Sequence, residues 1–142
     1  MSHRELNELG KKFLLTNRVN FHRYKCQYVY TEIKSAGNDE IPDVVGFYSC
    51  SSVIIESKTS RSDFLKDKQK SHRKSDGIGD FRFFLSKENL ILEQDLYDDW
   101  GLLHTDGKKV WMVKEPIKRV DRTYEAERCL MYSIIRRLNK KK

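Results

Sequence analysis

The chain reads as an α/β domain, with a central mixed β-sheet flanked by helices. Three observations carry that reading. Runs rich in β-branched and aromatic residues (Val44-Val45-Gly46-Phe47-Tyr48, Val53-Ile54-Ile55 and Phe81-Arg82-Phe83-Phe84-Leu85) have the composition of strands. Leu6, Leu9 and Phe13 near the start, and Leu130, Ile134 and Leu138 near the end, fall at helical spacing. A basic stretch with little apolar content lies between the second and third strand runs and reads as a connecting helix. The 142 residues, 38% of them hydrophobic, suit one domain over 1–142 with a core of its own.

Taken in order, residues 3–15 form the first helix. Glu5 flanks its apolar stripe and reads as a solvated acid at the helix start. Tyr28-Val29-Tyr30-Thr31-Glu32-Ile33 is a strand, with Glu32 near its end, before the turn at Ser35-Ala36-Gly37-Asn38. Residues 41–48 and 53–58 form a hairpin. Folded about Cys50-Ser51, it sets Asp43 opposite Lys58 and Val45 opposite Glu56. Cys-Ser is not a preferred two-residue turn, so this register rests on the strand pattern and the chemistry.

Ser60 caps the next helix, with Asp63 in its first turn. Phe64 and Leu65 are its clear apolar residues, and it ends in the glycine-containing stretch 71–79. Residues 81–85 return to the sheet, and 86–99 are polar around Leu90-Ile91-Leu92 and Leu96. Residues 100–113 form a second hairpin with an Asp106-Gly107 turn. Trp100 and Trp111 read as core or sheet-cover residues. In the helix after Pro116, Met131 and Ile135 broaden the stripe of Leu130, Ile134 and Leu138. That stripe packs on the sheet or, alternatively, forms a homodimer seam. The basic end of the chain frays.

The chemistry concentrates in Pro42-Asp43 and, thirteen residues after the Asp, Glu56-Ser57-Lys58. Alternation along a strand puts Glu56 and Lys58 on one face, and the hairpin brings Asp43 to them. Mg²⁺ takes one or two carboxylates plus phosphate oxygens and water. Asp43 and Glu56 supply carboxylates, and the Ser57 main-chain carbonyl offers a third oxygen. Glu32 is either a further ligand or a surface acid on an edge strand. Lys58 sets a cation beside the attacking water and the charge of a phosphodiester transition state; the plainer alternative is a structural salt bridge. Arg61, Lys66, Gln69, Lys70, Arg73 and Lys74 form either a solvated face or a set of phosphate contacts.

The balance of charge fits an anionic partner. The net charge is +7 and the pI about 9.3, with 35% charged residues against about 25% in an average domain. Nucleic acid is the expected partner. There is no apolar run of the ~20 residues a membrane helix needs, and the first residues do not read as a secretory signal. Three widely spaced cysteines point to reduced thiols in the cytoplasm. The four histidines show no metal-binding spacing, and no glycine-rich phosphate loop is present.

The Asp43, Glu56 and Lys58 constellation resembles the PD-(D/E)XK nuclease superfamily. The order of elements across residues 28–114 is similar to that of small phage and bacterial members, including DNA-repair proteins of the MmcB type. Asn38-Asp39-Glu40-Ile41-Pro42 stands where those relatives carry basic residues. The resemblance implies a restriction-endonuclease-like αβββαβ core and an enzyme dependent on Mg²⁺ or Mn²⁺. It also implies DNA as substrate and products with a 5′-phosphate and a 3′-hydroxyl. The rival reading is a noncatalytic nucleic-acid-binding or partner-binding protein that keeps the fold.

Overall fold

Central strands buried on both faces build this molecule, a computed structural model that describes residues 1–16, 23–34, 41–69, 77–120 and 124–140. The elements run α1 (His3–Leu15), β1 (Tyr28–Thr31), β2 (Val44–Tyr48), β3 (Ser51–Ser57), α2 (Arg61–Lys68) and β4 (Phe81–Lys87). A 3₁₀ turn (Glu93–Asp95), β5 (Trp100–Thr105), β6 (Val110–Lys114) and α3 (Tyr124–Lys140) follow. The six strands make one mixed sheet in the order β1-β2-β3-β4-β5-β6. The β1–β2, β2–β3 and β5–β6 pairs are antiparallel, while β3–β4 and β4–β5 are parallel. The sequence expectation of a mixed sheet flanked by helices matches this arrangement.

Each face of the sheet takes alternate residues. Val44, Val53, Ile55, Phe83, Leu85 and Leu103 pack with Leu6, Phe13 and Leu14 of α1. On the opposite face, Val45 and Ile54 meet Leu130 and Ile134 of α3. Farther along that face, Phe84, Trp100 and Leu102 meet Phe64 of α2. Strands buried on both faces read as continuous apolar runs, which is why 53–55 and 81–85 lack polar alternation. Phe84 and Trp100 stack with centroids 4.1 Å apart, a geometry that adds to the burial of both rings.

Arg82 interrupts the apolar run of β4, yet it is fully buried. Its guanidinium lies 4.3 Å from the centre of the Trp100 ring and 3.3 Å from Asp99. Arg119 reaches the same carboxylate oxygen at 3.4 Å and donates to the carbonyls of Gly77 and Ile78. Burying a charge is costly unless it is paired, and this network provides the pairing.

The structure corrects several sequence expectations. The β2–β3 hairpin pairs Val45 with Ile54 and Tyr48 with Ser51, so its turn is Ser49-Cys50 and not Cys50-Ser51. The register differs by two residues from the one expected, and Asp43 is therefore level with Glu56 and not with Lys58. Ser49 adopts φ +51, the left-handed conformation that a tight two-residue turn demands. β1 ends at Thr31, short of Ile33. In α3, Leu130 and Ile134 are buried, but Met131, Ile135 and Leu138 are exposed and do not broaden the packed stripe. The stretch 86–99 places Ile91 in the core beside the 3₁₀ turn. The residues of α1 run as expected, although Leu9 is only partly buried.

Gly46 lies where β2 passes beneath the end of α1. A Cβ there would meet the Cys26 Sγ at 2.5 Å and the Leu14 Cδ1 at 3.0 Å. Gly46→Ala should therefore lower stability by about 2 kcal/mol through overpacking, read as a lower urea midpoint with an unchanged slope.

Candidate metal centre

Pro42 enters β2 with a fixed φ and no N–H that the ladder would have to satisfy. The next residue, Asp43, is held on three sides. Its main-chain carbonyl accepts from the Glu32 amide at 3.0 Å. Its carboxylate Oδ2 accepts from the Ser57 amide at 2.8 Å. The same oxygen stands 3.2 Å from Nε2 of His3. The Ser57 contact joins the Asp to the residue between Glu56 and Lys58.

The ladder pairs Thr31 with Val44 and Val44 with Ile55. One step farther, Glu32, Asp43 and Glu56 occupy level positions on three neighbouring strands. Glu56 is buried near the end of β3. Glu32 is exposed and takes φ +50 just past β1. A left-handed glutamate is uncommon away from glycine-like turn positions, and such conformations gather at functional sites.

Lys58 continues the parallel ladder through its amide, which donates to the Leu85 carbonyl at 2.9 Å. Its Nζ lies 3.3 Å from Oδ1 of Asp67 on α2, and both side chains are nearly buried. Alternation puts Lys58 on the face of Glu56. Asp67 belongs to the inward row of α2 with Phe64, while Leu65, Lys66 and Gln69 are exposed. Ser60 caps this helix by accepting from the Asp63 amide, as the sequence indicates.

Arg61 is engaged elsewhere. Its guanidinium grips Asp95 with two bonds of 2.8 and 2.9 Å and also donates to the Leu90 carbonyl. That places it against the 3₁₀ turn rather than free for a phosphate. Lys66 and Gln69 remain open to solvent. Lys70, Arg73 and Lys74 lie outside the described residues.

The structure also assembles a group that sequence spacing missed. His3, Glu32 and Asp43 each offer a ligand atom, and these atoms all lie within 4.8 Å of one another. His3 is forty residues from Asp43, so no local motif marks it; its place at the first turn of α1 is the one available hint. Glu5 points away from this role. It completes a capping box with Ser2, and the Ser2 amide it accepts from holds its carboxyl below the ordinary range.

The chain is similar in structure to SPO1766, a protein of unknown function from Silicibacter pomeroyi, with a TM-score of 0.64 and 18% sequence identity. The match covers 94% of this chain and 85% of that one. At this identity the likeness extends to the fold alone. No family model and no curated protein matches the sequence.

Two consequences can be measured. Asp67→Ala strands the Lys58 ammonium in a buried position and should cost about 3 kcal/mol in chemical denaturation. Combining it with Lys58→Met should recover part of that loss. Asp95 titrates at about 2 because the Arg61 guanidinium favours its ionised form. A depressed carboxyl stabilises the fold above its unfolded value of about 3.9 and loses that effect as pH falls towards about 2. The half-exposed Arg61 limits the contribution to about 1 kcal/mol. The urea midpoint should therefore drop between pH 4 and 2, and Asp95→Asn should flatten that part of the curve.

Proposed function

We propose that this chain is a metal-dependent nuclease of the PD-(D/E)XK type that hydrolyses phosphodiester bonds in DNA. The observation that carries the reading is the hydrogen bond from the Ser57 amide to Asp43, which joins the Pro-Asp element to the Glu-x-Lys element. Ligand atoms of Glu32 and Asp43, with one of His3, lie within 4.8 Å of one another, a donor set that suits a divalent ion, and Glu56 follows Ile55 on the strand paired with β2. Asp43 and Glu56 would hold the ion, with the Ser57 carbonyl as a further oxygen and Glu32 beside them. A bound Mg²⁺ or Mn²⁺ would supply Lewis acidity and an activated water.

The protein's own part is positioning and charge. The Ser57 amide fixes the orientation of the Asp43 carboxylate. Lys58, steered by Asp67, presents a cation on the Glu56 side of the strand, where charge develops on the phosphate. Lys66 and Gln69, with Lys70, Arg73 and Lys74 in the following stretch, would contact the backbone of the nucleic acid, and the net charge of +7 favours the encounter. The three unpaired thiols fit a cytoplasmic setting. Among the described residues no helix is long and apolar enough to cross a membrane.

A noncatalytic binding role is the second reading. Met131, Tyr132, Ile135 and Leu138 are exposed on α3 and favour it, whether the partner is another protein or a second copy in a homodimer. The deciding assay incubates linear, nicked, branched and single-stranded DNA, and RNA, with protein in Mg²⁺, Mn²⁺ or EDTA. The expected result is metal-dependent cleavage of DNA that falls at least about a hundredfold in Asp43→Ala and Lys58→Ala. Cleavage that survives EDTA or both substitutions overturns the mechanism. Binding without cleavage selects the second reading.

A further inference from the structure

We propose that His3 is a direct ligand of the ion at this site, and that the site consequently takes a first-row transition ion such as Mn²⁺ in preference to Mg²⁺ or Ca²⁺. The proposal rests on the reading of Asp43 as an ion-holding carboxylate and adds both a ligand and a metal preference to it.

The geometry comes first. Ligand bonds of about 2.1 Å in an octahedron place adjacent donor atoms about 3 Å apart. His3 Nε2 and Asp43 Oδ2 already stand at 3.2 Å. Glu32 Oε1 lies 3.9 Å from the other ring nitrogen, and its side chain is 63% exposed, so it has room to close on the same centre. Asp43 cannot turn away without giving up the Ser57 amide.

A second observation points to the same place. The Ser57 hydroxyl is fully buried and has no hydrogen-bond partner among the described residues. Strand alternation puts it on the face of Ile55 and Val44, which is the α1 face, and α1 begins at His3. A buried hydroxyl left unsatisfied is costly, and this one belongs to the residue whose amide holds the Asp43 carboxylate.

The metal preference follows from donor chemistry. Mg²⁺ and Ca²⁺ are hard ions that select oxygen. An imidazole nitrogen binds first-row transition ions more strongly, and a mixed set of one nitrogen and two carboxylates shifts selectivity towards them. The competing account is a docking contact in which His3 merely bridges two carboxylates and holds the start of α1 against the sheet. That account predicts no metal dependence at all.

The full chain is titrated with Mn²⁺ while the histidine ring resonances are followed by NMR, and affinities for Mn²⁺ and Mg²⁺ are measured by calorimetry. The His3 ring signal, assigned by its absence in His3→Ala, should broaden at the lowest Mn²⁺ concentrations, ahead of those of His22, His72 and His104. Mn²⁺ should bind about tenfold more tightly than Mg²⁺, and His3→Ala should remove about that factor while leaving Mg²⁺ binding within about twofold. Unchanged Mn²⁺ affinity in His3→Ala, or the absence of early broadening at His3 in the unmodified protein, overturns the proposal. The two readings fail separately. His3-dependent Mn²⁺ binding without DNA cleavage sinks the nuclease and keeps the ligand. Cleavage that needs Asp43 beside Mn²⁺ binding indifferent to His3 does the reverse.

Discussion

One hydrogen bond, from the Ser57 amide to the Asp43 carboxylate, ties the beginning of β2 to the end of β3. A side chain here takes the place of a main-chain acceptor just where the antiparallel ladder stops. The Asp is thereby oriented by the backbone of the very tripeptide whose flanking side chains are Glu56 and Lys58. A carboxylate aimed by a main-chain donor keeps its direction without relying on a second flexible side chain. The direction of the Asp43 carboxylate follows from that contact.

β3 is the junction of the sheet. On one side it pairs antiparallel with β2, and on the other parallel with β4. The parallel pairing requires a crossover, and α2 lies in it. The crossover helix then returns Asp67 to Lys58 at the end of the strand it left. The topology thus delivers four chain segments to one end of the sheet: the start of α1, the end of β1, the β2–β3 hairpin ends and the inward row of α2.

Much of this was legible in the sequence, for physical reasons. Helical spacing located α1 and α3, and β-branched runs located the strands, because burial imposes those periods on any sequence. The register of the first hairpin was not legible. Its tight turn uses Ser49 in a left-handed conformation where asparagine or glycine would have announced it. A slip of two residues preserves the side on which each side chain within the two strands falls. His3 was hidden because its neighbours in space are distant in sequence. Arg61 read as a phosphate contact because its basic surroundings gave no sign of Asp95. Arg82 read as an ordinary strand residue, and nothing near it in sequence announced that Trp100 and Asp99 would accommodate its buried charge.

The tight Ser49-Cys50 turn has a practical use. Cys26 is buried and Cys129 is partly covered, while Cys50 is exposed. The turn lies at the far end of the hairpin from Asp43 and Glu56, a span of about 17 Å for five strand residues. A thiol-reactive fluorophore or spin label attached at Cys50 would ride on the same two strands as those carboxylates without obstructing them. That offers a built-in reporter position for distance measurements within the domain.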